Sequence, residues 1–265
     1  MSQIAFIGAG KMAEAIIKQL IGAGWAESKD ITISDIDDER MRKLQSLYGV
    51  KAAASNKEAA EDAKVILLAV KPQNLEGVLK EISGSVGGGK TVISIAMGKR
   101  VEFIESLLGE GIPVVRVMPN NPAMVGEAVS VISYGRFAGE ESRLAARDIF
   151  SCLGEVYELE EGLQDEAMAV SGCGPAYFYV LAEALCDAAV GLGLNRELAL
   201  KLVTGTMIGA GRMLRDSGQH PAALKDMVTS PGGSTIAALA ALEEGGIRSA
   251  FYRALAAARN RAKEV

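Results

Sequence analysis

Through residue 161, short apolar runs alternate with stretches whose apolar positions recur at helical spacing, the pattern of a parallel sheet wrapped by helices. The first strand is predicted at 4–7, followed at once by an amphipathic helix carrying Met12, Ile16, Ile17 and Leu20. Further strands are predicted at 31–34, 65–70, 91–95, 114–117, 128–133 and 155–159, with helices over 38–48 and 140–151. The run VILLAV at 65–70 has no polar face and suits a central strand covered on both sides.

Beyond Glu161 the texture changes. Strand patterns stop, and helices broken by Gly, Pro and Asn are predicted over 175–191 and 195–217 and then from Pro221, Thr235 and Ile247. Two domains are therefore expected, a dinucleotide-binding domain over 1–161 and a helical domain over 162–265. The helices at 175–191 and 195–217 are apolar or small over most of their circumference, with Tyr177, Phe178, Leu181, Leu185, Leu202, Val203, Met207 and Ile208. A helix without a polar face is buried on all sides. The cover is expected from a second subunit, with the centre of a monomeric bundle as the alternative.

The junction between the first strand and helix reads Gly8-Ala9-Gly10-Lys11-Met12-Ala13. Gly8 permits a tight turn, Gly10 removes the Cβ that would keep a pyrophosphate from the backbone, and Ala13 lets the helix sit close to the strand. The free N–H groups of the helix start complete an anion site. This is the fingerprint of a Rossmann-type doubly wound sheet, so the fold class is α/β with an all-helical dimerisation domain behind it.

Composition narrows the partners. The chain of 265 residues carries 28 basic and 33 acidic side chains, a net charge of −5, with no basic block suited to nucleic acid or an anionic membrane. No apolar run reaches the ~18 residues of a membrane span, and the first strand leaves no room for a signal peptide, so a soluble cytoplasmic protein is expected. Cys152, Cys173, Cys186 and the single His220 lack metal-ligand spacing, so no metal site and no disulfide framework are expected. His220, before Pro221, reads as a helix-start residue, and Cys173 as an inert thiol.

In a doubly wound sheet ligands bind at the carboxyl edge of the strands. Ser34 and Asp35 end the second strand. An Asp there accepts from the ribose hydroxyls of NAD, whereas Ser34 would bond the 2′-phosphate of NADP with charge from Arg40, Arg42 or Lys43, so the choice of coenzyme stays open. The next strand ends supply Ala69, Val70, Lys71 and Pro72, then Ala96, then Asn120; with Asn56 these join Gly8, Ala9, Gly10, Lys11, Met12, Ser34 and Asp35 as candidate cofactor contacts. Lys71 reads equally as a surface lysine. In the helical domain, Ser230-Pro231-Gly232-Gly233-Ser234-Thr235 precedes a helix and suits a backbone nest for a carboxylate, or else a simple helix cap.

The segments FIGAGKMA, AVKPQ, VRVMPNNPAMVGE, SGCGPAY and HPAALKDMVTSPGGSTIAAL, with EEGGIR following, resemble pyrroline-5-carboxylate reductase along the full length of the chain. The chain departs from the family pattern at Asn121 and Ser234, where Thr is commoner, and at Cys173, where Ser is. The resemblance implies reduction of a five-membered cyclic imine carboxylate to L-proline, the last step of proline biosynthesis, with NADPH or NADH, in homodimers often assembled into decamers. It also implies carboxylate binding by backbone at Ser230, Gly233, Ser234 and Thr235, a hydrogen-bond or proton-relay role for the Thr235 hydroxyl, and a substrate-site position for Glu161. A reductase of a six-membered piperideine carboxylate and a non-catalytic dinucleotide sensor are the alternatives. A β-hydroxyacid dehydrogenase shares the layout, but Lys201 and Lys225 do not fall in that family's motif.

Overall fold

A computed structural model of the chain describes residues 2–87 and 89–263. By packing the chain divides into two units: the first runs through Pro175 and takes back the chain from Ala258, and the second is Ala176–Ala257.

The first unit is built on an eight-stranded sheet of order β3-β2-β1-β4-β5-β6-β7-β8. Its strands are β1 (Ser2–Ile7), β2 (Ile31–Ser34), β3 (Lys51–Ala52), β4 (Ala63–Leu68), β5 (Thr91–Ser94), β6 (Val114–Met118), β7 (Ala128–Tyr134) and β8 (Gly154–Glu158). Pairing is parallel from β3 through β6; β7 runs antiparallel to β6 and carries β8 parallel to itself. The order reverses between β1 and β4, the switch point at which the ends of such strands part to admit a ligand.

Helices α1 (Lys11–Gly22), α2 (Asp38–Tyr48), α3 (Asn56–Glu61), α4 (Pro72–Ile82), α5 (Val101–Leu108) and α6 (Glu140–Ser151) fill the connections. Two buried clusters lie on opposite faces of the sheet. One joins Ile4, Phe6, Ile16, Ile17, Leu20, Ile33 and Phe150, and the other joins Ala5, Ile7, Ile66, Leu68, Leu75, Leu79 and Ile104. Alternate residues of β1 enter different clusters because successive strand side chains point to opposite faces.

The segment after β8 is tied to this sheet although its texture is already helical. The Gln164 amide, at the start of α7 (Gln164–Ala167), donates to the Val131 carbonyl and the Ser133 hydroxyl. Asn120 donates to the Ser171 carbonyl, and Met168 packs with Met118. These links carry the packing boundary to Pro175, later than the change of texture at Glu161. A π-helical turn at Met168–Gly172 and the helices α3, α4 and α5 were not individually apparent from periodicity.

The second unit contains most of α8 (Gly174–Gly191), α9 (Arg196–Ser217), α10 (Pro221–Met227), α11 (Ser234–Glu244) and most of α12 (Ile247–Ala262). Asn195 caps α9 through the Leu198 N–H, and His220 caps α10 through the Ala222 N–H, the structural role expected of it. Its apolar side chains are largely uncovered by its own chain: Val180 is 65% exposed, Ile208 53% and Leu192 88%. Such a surface is that of an element whose cover comes from elsewhere.

The continuous stretch Glu161–Gly191 is, by length and composition alone, apolar enough to cross a membrane. This corrects the expectation that no run reaches that length. Ser171, Gly172, Gly174 and Pro175 interrupt the apolar residues in sequence, yet the backbone is helical at all four, with a bend only at Cys173 between them.

Candidate active site

The carboxyl ends of β1, β2 and β4 open onto a cavity of 720 Å³ at the switch point. Gly8, Gly10, Ser34, Asp35, Asn56, Ala69, Val70 and Lys71, all candidates from sequence, line it.

Gly8 has φ +100°, and a Cβ built there would lie 2.7 Å from the carbonyl carbon and oxygen of Ala69. The turn therefore requires glycine twice over, for its backbone conformation and for the close approach of β4. Gly10 precedes α1 with extended backbone and no side-chain cap, and a Cβ there would meet nothing within 4 Å. The first-turn N–H groups of α1 thus point into open space with a positive dipole end behind them, a seat for a pyrophosphate. A dinucleotide fits this cradle on its own geometry.

Ala9 between the two glycines is clamped from both sides. Its N–H donates to the Asp35 carboxylate at 2.6 Å, and its carbonyl accepts from Arg40 Nε at 2.6 Å. The other Asp35 oxygen accepts from the Asp37 N–H. Arg40, weighed from sequence as a free charge for a phosphate, is instead bound to the loop and to Glu14. Two of the groups that the sequence offered for coenzyme choice, Asp35 and Arg40, are thus engaged in holding the glycine turn.

Burial pushes the Glu14 carboxyl up, but the hydrogen bond and charge of Arg40, helped by Lys43 and Tyr48, outweigh it and hold the pKa below its ordinary 4.5. A carboxylate with a lowered folded pKa contributes stability that is present above its unfolded value and lost as pH falls through the folded one. The unfolding midpoint in urea is expected to fall below about pH 4.5 in part through this pair. Glu14→Gln should flatten that acid limb; an unchanged limb would show that the pair does not couple to folding.

Ser34, Asn56 and Glu81 form a relay at the far side of the cavity. Ser34 Oγ donates to Asn56 Oδ1 at 2.8 Å, and Asn56 Nδ2 donates to Glu81 Oε2 at 2.8 Å. Glu81 was missed from sequence, as were Asn74, Gly77 and Val78, which line the cavity together with Gln73. The spacing 73, 77, 81 is one face of a helix, and recognising α4 as a helix would have found it.

Other candidates lie elsewhere. Lys11, Met12, Pro72, Ala96 and Asn120 do not line the cavity, and the Asn120 amide bridges the Ser171 carbonyl and the Val129 N–H. Glu161, a substrate-site candidate, accepts from the Val101 N–H at 2.7 Å and from buried Arg116 at 3.1 Å, so it ties the start of α5 to β6. Cys173 Sγ lies 3.4 Å from Met168 Sδ. Among the described residues no group of side chains suits a metal ion.

In the second unit, Ser230–Gly233 is a tight turn: the Gly233 N–H donates to the Ser230 carbonyl at 3.1 Å, with Pro231 second and Gly232 third at φ +68°. These are the residues a type II turn requires. Gly233 then precedes α11 with no side-chain cap, so neither Ser234 nor Thr235 caps the helix. The turn leaves a helix N-terminus bare to an anion, with the Thr235 hydroxyl in its first turn.

A mostly parallel sheet whose glycine turn and switch-point cavity suit a dinucleotide, followed by a helical unit with a second bare helix N-terminus, is the architecture of a dinucleotide-binding protein of the oxidoreductase class. Comparison with known proteins refines the class. Residues 161–265 match a family model described as pyrroline-5-carboxylate reductase dimerisation, and residues 3–98 match one described as NADP oxidoreductase, coenzyme F420-dependent. A pyrroline-5-carboxylate reductase from Methanosarcina acetivorans is 42% identical over 99% of this chain and 97% of its own length. Among solved structures, the enzyme from Coxiella burnetii matches with TM-score 0.91 at 36% identity, over 99% of this chain and 98% of that one. Plasmodium falciparum pyrroline carboxylate reductase with NADP bound matches with TM-score 0.91 at 32% identity, over 99% and 97%. The chain belongs to the pyrroline-5-carboxylate reductase family. The uncovered apolar helices fall inside the dimerisation match, which accounts for them by subunit association.

Proposed function

We propose that this protein reduces L-1-pyrroline-5-carboxylate to L-proline with NADPH, NADH being the weaker alternative, as a cytoplasmic homodimer able to assemble further into decamers. The observation that carries the reading is the bare N-terminus of α11 behind the 230–233 turn. A protein that only binds a dinucleotide has no need of a second anion seat, whereas a small carboxylate substrate does. The NADP bound to the Plasmodium falciparum relative and the family description of residues 3–98 support the choice of coenzyme.

The reduced nicotinamide, when bound, supplies the hydride that adds to the C5=N carbon of the ring. The chain does the rest. Gly8 and Gly10 admit the pyrophosphate to the α1 N-terminus, and Asp35 and Arg40 hold the Ala9 peptide so that this seat is formed before binding. The N–H groups at Ser234 and Thr235, with Ser230 and Gly233 shaping the turn, receive the substrate carboxylate. The Thr235 hydroxyl relays one proton from solvent to the ring nitrogen, converting the imine to the iminium, and addition of hydride to C5 then gives the amine. An iminium accepts hydride readily, so orientation of two bound molecules dominates and no strong acid is required.

Purified protein given pyrroline-5-carboxylate and NADPH should consume the near-ultraviolet absorbance of the reduced nicotinamide; folded protein that consumes none would reject the reading. Thr235→Ala is expected to lower kcat by about 100-fold while leaving the dissociation constant for NADPH unchanged. Unaltered turnover would remove Thr235 from the mechanism.

A further inference from the structure

The relay of Ser34, Asn56 and Glu81 has a direction set by chemistry. A carboxylate only accepts hydrogen bonds, so Glu81 Oε2, 2.8 Å from the Asn56 amide, must face its Nδ2. That turns Oδ1 toward Ser34, and the Ser34 hydroxyl must then donate to it at 2.8 Å. The three residues come from the end of β2, the first turn of α3 and the last turn of α4, and all three line the cavity. What this pair offers an incoming group is therefore mainly acceptors, the lone pairs of Ser34 Oγ and Asn56 Oδ1, together with the one Asn56 N–H that Glu81 does not take. A ribose 2′-hydroxyl can donate to them. A 2′-phosphate, which needs donors, has only that single N–H from the pair until the amide turns and the Ser34 hydroxyl proton is freed.

We infer that Glu81 is a positioning residue for coenzyme choice: by holding the Asn56 amide with its oxygen toward Ser34, it tempers the advantage of NADPH over NADH. The inference rests on the proposed coenzyme site and deepens it. Release of the amide lets Asn56 present Nδ2, and Ser34 its hydroxyl proton, to the extra phosphate.

The test is equilibrium binding on the full chain, read by calorimetry with NADPH and NADH and with the fragments adenosine 2′,5′-bisphosphate and 5′-AMP. Glu81→Gln removes the obligate acceptor and keeps the size. It is expected to raise the affinity ratio of NADPH to NADH, and of the bisphosphate to 5′-AMP, by about tenfold, the size of one charge-assisted hydrogen bond changing hands. In an Asn56→Ala background the same change should leave both ratios where they stand, because Glu81 acts through the amide. Ratios unmoved by Glu81→Gln, or moved equally without Asn56, would overturn the inference while leaving the coenzyme site intact. Failure of the unaltered chain to bind either dinucleotide would overturn the coenzyme reading itself.

Discussion

Gly8→Ala is expected to destabilise the first unit by about 3 kcal/mol or more and to abolish dinucleotide binding. Two costs act together. An L side chain at φ +100° costs about 1–3 kcal/mol, and the added Cβ would stand 2.7 Å from the Ala69 carbonyl group and 3.0 Å from the Val70 nitrogen. Those atoms belong to backbone at the end of β4, which pairs with β1, so no side chain can swing aside to relieve the overlap. Gly10→Ala separates stability from binding. That position has φ −66° and open space around it, so stability should stay within about 1 kcal/mol of the parent. Affinity for NADPH should nevertheless fall, because the new methyl occupies the space over the α1 N-terminus. Urea denaturation and coenzyme titration of the two variants read both effects. Normal affinity in Gly10→Ala would mean that the pyrophosphate does not sit on this turn.

The second large effect is expected at Arg116. Its side chain lies on β6, 3% exposed, with Nη1 on Glu161 and Nη2 on Asp165. Glu161 also accepts from the Val101 N–H, so one guanidinium holds together a central strand, the start of α5 and the segment leaving the sheet. Arg116→Met would leave two carboxylates facing each other with no cation between them. Removing one partner of a buried ion cluster costs about 3–5 kcal/mol, whereas replacing the whole cluster by neutral groups costs far less. The unfolding free energy of Arg116→Met should fall by that amount, and the triple change Arg116→Met, Glu161→Gln, Asp165→Asn should recover much of it. A triple variant as unstable as the single one would show that shape, not charge, makes Arg116 necessary. Arg116 Nε is buried without a hydrogen-bond partner, which fits a group kept for the connections it makes rather than for complete satisfaction.

Legibility followed range along the chain. The strand–glycine–helix junction at 4–22 and the 230–235 turn were readable because each is a local device whose residues are contiguous, with glycine where φ is positive and proline where a turn begins; that no hydroxyl caps α11 came from the structure. The alternation of strands and helices, and the excess of apolar surface on α8 and α9, were readable for the same reason, since period and composition are properties of a single segment. Glu161 shows the limit. The family resemblance gave it a substrate-site position, but its partners Arg116 and Val101 lie far back in the chain and were invisible until β6 and α5 were laid beside it.

Sequence alone thus determined most of the strands and the longer helices, the glycine turns that leave helix starts bare, and that the helical unit carries apolar faces for a second subunit. Tertiary structure decided how the side chains between those segments are employed. It bound Asp35 and Arg40 to the Ala9 peptide, joined Ser34 to Asn56 and Glu81 across three elements, and gathered Glu161 and Asp165 around Arg116. The physical reason is that backbone preference acts between neighbours along the chain, whereas a hydrogen bond needs its donor and acceptor within about 3 Å. Only the order and register of the sheet bring such distant residues that close.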